Sequence, residues 1–483
     1  MRGVQLAGLT GDVPAEVDAA FAVVTGFDDA LLQGLGRLDA TRTSALVDLA
    51  GAVAATPLGP RVAEAVEKIT AGSIGDGSLA LLAGARSAVT GAVHDALLSR
   101  FDEAQGRERR SWSAPAGGSP QTSATGTEGT APARSADGPL AGARSWLTET
   151  AITGWRGVDG DSLAAGGQLV PGLLAIGSCR RLAVLLDGLV AELRAVSPIA
   201  TADRVPVRRW GDLWSRAMLL ARPDNGTTGT SAPGERVSGR LLILGVDVHE
   251  HPTAMQAQVH AILEPSGGAP SRLVRTAVAA AKVDTIVGPT LWQLLRDHPV
   301  LLGALASGVG IEVTDLVLRP GGDLVWQESG SRPDTPADPF AVARVKLGGV
   351  LADASPPLDR HPAAIAEPVL LEDYTTSGDP DGTVTFHVDG TAVGVTVDRL
   401  PTCGPLTPEL VAASSACIGL LRWDAGRWLV QPLAIRVTTK RKSTVVQTGD
   451  WAMGADGPRA AKTAKAGDAV SVLRERAGRL LRR

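Results

Sequence analysis

A multidomain α plus α+β chain, with a helical N-terminal half and an antiparallel-rich β C-terminal domain, is predicted by three features of this 483-residue sequence. Apolar residues recur at helical spacing through the first 105 residues and again from 140 to 221. After 237 the texture changes to β-branched alternation punctuated by Gly, Asp and Pro. Between the two helical blocks the composition falls to Ala, Gly, Ser, Thr and Pro, which offers nothing to bury. The length exceeds one ordinary core, and 44% apolar residues suffice to fill several.

Taken in order, Asp12 is placed to cap a helix that begins at Val13-Pro14, with Glu16 in the first turn, where the helix dipole favours a carboxylate. Ala19, Ala20, Val23 and Val24 continue its apolar face. Further helices are predicted over 40–55, 60–71 and 78–104, and breaks such as Thr56-Pro57-Leu58-Gly59 fit an antiparallel bundle. Together these make a helical domain of residues 1–110, followed by a flexible linker over 111–139. A second helical segment, 140–222, is clearest at 181–196, where Leu182, Leu185, Leu186, Leu189, Val190 and Leu193 form one broad apolar face. A Gly/Thr/Ser loop covers 223–236.

Residues 237–439 read as a β-rich α+β domain, a curved sheet or a partial barrel. Segments 240–249 and 256–263 pair as a hairpin, 274–287 supplies one or two strands, and a helix over 289–297 opens at a proline. Strands continue at 311–318, 343–347, 369–374, 384–388 and 393–397, and 418–423 with 428–437 form a last hairpin around Asp424-Ala425-Gly426. Residues 440–483 form a basic tail with eleven Lys/Arg against four acids, ending in a helix over 468–483. No repeat of 20–50 residues is visible.

Composition narrows the function classes. Net charge is −4, which argues against nucleic-acid binding by bulk electrostatics. Three scattered cysteines, Cys179, Cys403 and Cys417, make neither a disulfide framework nor a zinc-finger spacing. With no apolar leader after Arg2 and no run approaching 18 apolar residues, the expectation is a cytoplasmic protein without a membrane span. Gly-Lys never occurs, which removes the Walker phosphate loop, and G-x-S-x-G is absent.

Three of the seven histidines fall within twelve residues. In a strand Asp247, His249 and His251 share one face, and with a turn at 250–255, Gln256, Gln258 and His260 line the same face opposite them. Leu242, Leu244, Val246 and Val248, with Ala257, Val259 and Ala261, make the core side. Imidazoles beside a carboxylate can hold Zn or Mn, so a metal-dependent hydrolase on Asp247, His249, His251 and His260 is one expectation. A solvated face, or one covered by a partner or another domain, is the simpler one.

Lys282 and Asp284 can act as an acid–base pair, but fit an ion pair at a strand end better. Trp210 and Trp214, i and i+4 among Arg208, Arg209 and Arg216, suggest base stacking, yet neighbouring Leu213, Met218 and Leu219 favour a core or inter-domain position. Trp423 and Trp428 read as cross-strand packing. In the tail, Lys440, Arg441, Lys442, Arg474, Arg476, Arg479, Arg482 and Arg483 are candidates for contact with nucleic acid, an anionic surface or an acidic protein groove.

Val207-Arg208-Arg209-Trp210-Gly211-Asp212-Leu213-Trp214, His249-Glu250-His251-Pro252, residues 281–289 and residues 403–410 running into 420–428 together resemble uncharacterised proteins of high-GC bacteria. These are similar to proteins encoded beside SWIM zinc-finger proteins, MoxR-type ATPases and von Willebrand A proteins. The similarity covers roughly residues 140–435 and carries over no catalytic residue. It implies an accessory role near an ATPase chaperone system. The leading expectation is therefore a non-enzymatic adaptor or scaffold; the alternatives are the metal-dependent hydrolase and nucleic-acid binding through the tail.

Overall fold

A computed structural model describes residues 1–11, 15–109, 112, 137–222, 234–251, 253–351, 353–378, 382–439 and 442–454. Most of the predicted linker and of the second loop, the capping Asp12 and most of the basic tail lie outside the described residues; of the predicted connections, residues 137–139 are already helix and 235–236 already strand.

Nine helices make up the described N-terminal part: α1 (Gly3–Thr10), α2 (Ala15–Gln33), α3 (Ala40–Ala52), α4 (Gly59–Thr70), α5 (Asp76–Gln105), α6 (Asp137–Thr153), α7 (Gly160–Leu174), α8 (Arg180–Val196) and α9 (Val207–Leu220). Their ends follow local chemistry. Asp39 accepts from Arg42 N at 2.8 Å to cap α3, Asp159 accepts from Ser162 N at 2.9 Å to cap α7, and Gly106 at φ 67° closes α5. Helices α2 to α9 share one core, in which Phe27, Leu46, Val62, Leu82, Leu147, Leu186, Trp210 and Trp214 are buried. The two helical stretches on either side of 111–139 thus pack as one bundle. Trp155 meets Trp210 edge-on at 5.9 Å, and Trp214 Nε1 donates to Leu147 O at 3.0 Å. Both helical tryptophans are core residues.

The β part holds two sheets. The first contains β1 (Glu235–Glu250), β2 (Ala254–Pro265), β3 (Arg272–Ala281), β4 (Val309–Arg319), β5 (Asp323–Val325) and β6 (Ser331–Pro336), with helix α10 (Pro299–Ser307) between β3 and β4. Its order is β1-β2-β3-β5-β4, and β4 returns to pair β1, which closes a five-stranded ring with β6 added outside β4. Neighbours are antiparallel except β3 and β5, which meet in parallel at Arg275 and Asp323.

The second sheet repeats this plan. Its strands are β7 (Glu367–Glu372), β8 (Thr375–Gly378), β9 (Val384–Val388), β10 (Thr391–Val395), β11 (Ser414–Asp424), β12 (Arg427–Thr439) and β13 (Lys442–Gln447), with helix α12 (Pro408–Ala412) between β10 and β11. β7 and β8 are one bent strand, broken where Asp373 takes φ 57°. Counted so, the ring runs β7/β8, β9, β10, β12, β11 and back to β7, with β10 and β12 parallel. Both rings therefore have the Greek-key connectivity of OB-type barrels, arranged in tandem. β13 adds to β12.

Each barrel has its own interior. Val246, Val248, Met255, Val259, Ile311 and Val313 fill the first, which Trp292, Leu301 and Leu305 close. Tyr374, Phe386, Val393, Val430 and the edge-on pair Trp423–Trp428 (5.3 Å) fill the second. The second interior is completed from the helical half, by Leu6 and Leu9 of α1 and Val93, Leu97 and Phe101 of α5. Between the barrels, Leu242, Leu244, Ile262 and Leu273 meet Leu370, Ile418 and Ala434. Helix α11 (Pro339–Lys346) supplies Phe340 and Ala343 to this layer.

Three expectations need correction. The core side of the first hairpin is split, because a bulge between Ile243 and Gly245 sends Leu242 and Leu244 outward while Val246 and Val248 face the barrel interior. Gly245 is needed there, since a Cβ would lie 2.6 Å from Leu433 Cβ of β12. Residues 343–347 fall in α11 and the short turn after it, not in a strand: Asp338 accepts from Phe340 N at 3.0 Å as N-cap, with Pro339 in the first turn. Residues 442–447, read as tail, form an edge strand.

The last hairpin turns through Ala425 (φ 48°) and Gly426 (φ 76°), a type I′ turn in which alanine is held left-handed. Ala425→Gly is expected to stabilise the protein by about 0.5–1 kcal/mol, read as a raised urea midpoint at unchanged slope.

Candidate functional site

The first hairpin pairs Gly245 with His260, Asp247 with Gln258 and His249 with Gln256. The predicted register therefore puts Asp247, His249, Gln258 and His260 on one face. That face is turned to the second barrel. Asp247 is 3% exposed, and its carboxylate is fully engaged. Oδ1 accepts from Gln431 Nε2 at 2.7 Å, Oδ2 accepts from Arg422 Nη2 at 2.6 Å, and His249 Nε2 lies 3.0 Å from Oδ2. Arg422 Nε donates to Gln431 Oε1 at 2.5 Å, closing a ring of contacts between β1, β11 and β12. Burial alone would raise the Asp247 carboxyl, but hydrogen bonding from His249 and Gln431 and the charge of Arg422 hold it at about 2.

The histidines separate. His251 sits exposed in the β1–β2 turn, its N–H donating to Ala254 O at 2.8 Å, outside the ring of contacts. His260 is buried, with Nε2 3.3 Å from Gln258 Nε2. Among the described residues no group of three His, Cys, Asp or Glu stands together as metal ligands. Sequence reasoning found Asp247 and His249 but not Arg422 and Gln431, which lie 175 and 184 residues away.

Burial drives the His260 imidazole down to about 3. An unfolded chain takes up that proton near pH 6.5, so the unfolded state binds more protons and stability falls as pH drops from about 6.5 towards 3. His260→Gln is expected to flatten that limb of a pH–stability curve measured by urea unfolding.

Lys282 is buried and donates to Glu250 Oε1 at 2.7 Å, while Asp284 is exposed. The ion pair at the strand end exists, but its carboxylate is Glu250 rather than Asp284. A second buried network, unseen in the sequence, joins the helical bundle to the β half. Asp102 of α5 accepts from Arg107 Nε at 2.9 Å and Arg109 Nε at 2.8 Å. Arg109 Nη1 reaches Glu367 Oε1 of β7 at 3.2 Å, and Arg107 Nη1 donates to Val350 O at 3.2 Å.

OB-type barrels bind ligands on the outer face of their second and third strands. Here that face carries Gln256, Gln258, Ala277 and Ala279 in the first barrel, with Arg275 tied to Asp323 at 2.5 Å. In the second it carries Thr385, His387, Ala392 and Gly394, with His387 Nε2 2.7 Å from Ser377 Oγ. Neither set offers the aromatic platforms or the basic groove that nucleic-acid strands need. Of the tail candidates, Lys442 lies in β13, and Lys440, Arg441, Arg474, Arg476, Arg479, Arg482 and Arg483 lie outside the described residues. No helix among the described residues is long and apolar enough to cross a membrane. Comparison with family models, curated proteins and solved structures finds no match to this chain.

Proposed function

We propose that the chain is a non-enzymatic adaptor or scaffold in a cytoplasmic multiprotein system, accessory to an ATPase chaperone of the MoxR type or to a von Willebrand A protein. One observation carries this reading: the most concentrated polar chemistry, Asp247 with His249, Arg422 and Gln431, is spent joining one barrel to the other. A group whose acceptors are filled by its own chain works as a joint and not as a reaction centre. The same economy applies at Asp102, Arg107, Arg109 and Glu367, which join the bundle to the second barrel. Three units locked together present a fixed arrangement of surfaces, which suits simultaneous engagement of partners.

Affinity purification of the tagged full-length chain from its own cell extract, with mass spectrometry of co-purifying proteins, tests the proposal. A small stoichiometric set that includes an ATPase supports it. A monomer that binds nothing ends it.

Nucleic-acid binding is the second reading, favoured by the barrel connectivity and by the basic residues after 440. It requires affinity that falls steeply with salt and disappears when residues 455–483 are deleted.

A further inference from the structure

A cleft of about 360 Å³ opens where α2 and α9 of the bundle face the second barrel. Its size falls in the range of small-molecule sites (about 300–1,000 Å³), which favour such junctions between units. One wall is the β11–β12 turn, the loop between the fourth and fifth strands of the barrel, which in OB-type barrels is one of the ligand-binding loops.

The lining groups are chemically divided. On one side stands Arg208, its guanidinium 4.5 Å from the centre of the Phe21 ring and with one hydrogen bond, to Thr25 Oγ1 at 3.0 Å. Beside it, His361 Nδ1 accepts the Ala363 N–H at 3.1 Å, which puts the imidazole proton on Nε2. That Nε2 is buried and finds no acceptor among the described residues, so His361 forms part of the wall and not a contact offered to the cleft. Burial lowers the affinity of His361 for a second proton, so the ring stays neutral. At the rim stand two exposed carboxylates, Asp18 and Asp424. Asp424 is partly engaged, by the Ala425 N–H at 2.9 Å and by Arg399 Nη2 at 3.5 Å. Phe21 and Trp423 supply apolar walls between these groups.

We propose that this cleft binds an α-carboxylate borne by a residue with a cationic side chain, either a free basic amino acid or the basic C-terminal residue of a peptide. The carboxylate meets Arg208, the aliphatic stem lies against Phe21 and Trp423, and the side-chain cation faces Asp18 and Asp424. Arg208 complements the carboxylate, while Asp18 and the part of Asp424 that Arg399 leaves open complement the side-chain cation.

Isothermal titration of the full chain with L-arginine, agmatine and L-citrulline separates the two contacts, because agmatine lacks the carboxylate and citrulline lacks the cation. Either L-arginine or the peptide Ala-Ala-Arg is expected to bind, with the decarboxylated and uncharged analogues at least about tenfold weaker. Arginine without the peptide assigns the free amino acid; the peptide, with its C-terminal amide inactive, assigns a chain end. Asp18→Asn with Asp424→Asn is expected to erase the preference over citrulline, and Arg208→Met the preference over agmatine, in variants whose circular dichroism matches wild type. Silence from both probes at about 10 mM, equal binding of all three small molecules, or preferences that survive both sets of substitutions would each overturn the proposal.

Discussion

Asp247→Ala is expected to lower the free energy of unfolding by about 3–5 kcal/mol. The variant leaves the Arg422 guanidinium, whose side chain is 11% exposed, without its counter-ion, and strips Gln431 Nε2 of its acceptor. The cost is that of an uncompensated buried charge, larger than the worth of any single contact. Arg422→Met is expected to be similarly harmful for the mirror reason. The double variant should then lose less than the sum, because removing both charges restores neutrality, with a coupling of about 1–3 kcal/mol in a double-mutant cycle. Urea unfolding of the four proteins measures it, and additive losses would refute the joint. Acid gives a second readout. Since Asp247 titrates at about 2 in the folded protein and near 3.8 unfolded, its contribution is present above about pH 3.8 and lost as pH falls towards 2. That limb should vanish in Asp247→Ala while the His260 limb, at higher pH, remains.

How much of this was legible in the residues depends on how local the deciding physics is. Alternation alone set the register of the first hairpin and put Asp247, His249 and His260 on one face, because pairing across a short turn is fixed by neighbours in sequence. The bulge at Gly245 was not legible: the glycine is demanded by Leu433, nearly two hundred residues later. The sequence Val342-Ala343-Arg344-Val345-Lys346 alternates like a strand, and Asp338-Pro339, read in time, marks the helix start that decides otherwise. The tandem barrels escaped a search for short repeats because their first strands start 132 residues apart, at Glu235 and Glu367, with unequal connections around α10 and α12. A faint echo survives in the fourth-to-fifth strand hairpins: Leu318-Arg319 before Gly322 and Leu324-Val325, and Leu421-Arg422 before Gly426 and Leu429-Val430. What the sequence could not reveal is which outward-facing polar residues are covered, and that decides whether the histidine face is a site or a seam.

Arg86→Met should be the most damaging single change in the helical bundle, again about 3–5 kcal/mol. Asp28 of α2 and Arg86 of α5 are both about 1% exposed and pair bidentately, Nε to Oδ1 at 2.6 Å and Nη2 to Oδ2 at 2.8 Å, while Nη2 also donates to Arg208 O of α9 at 3.0 Å. Three helices thus converge on one ion pair. They can do so because residue 211 is glycine: a Cβ there would collide with the Asp28 carboxylate and lie 2.9 Å from Arg86 Nη2. Burial already pushes the Asp28 carboxyl up to about 6, against the pull of Arg86. Without the guanidinium it rises further, so the folded variant holds a proton that the unfolded chain, titrating near 3.8, releases at neutral pH. A raised carboxyl contributes stability at low pH that is lost as pH climbs through its folded value. The deficit of Arg86→Met relative to wild type should therefore be largest near about pH 8 and shrink as pH falls towards 6. Pairing Asp28→Leu with Arg86→Met removes both charges and should recover most of the loss, since an apolar pair of similar volume needs no compensation. A deficit independent of pH, with no recovery in the double variant, would mean that the arginine acts through packing and not through its charge.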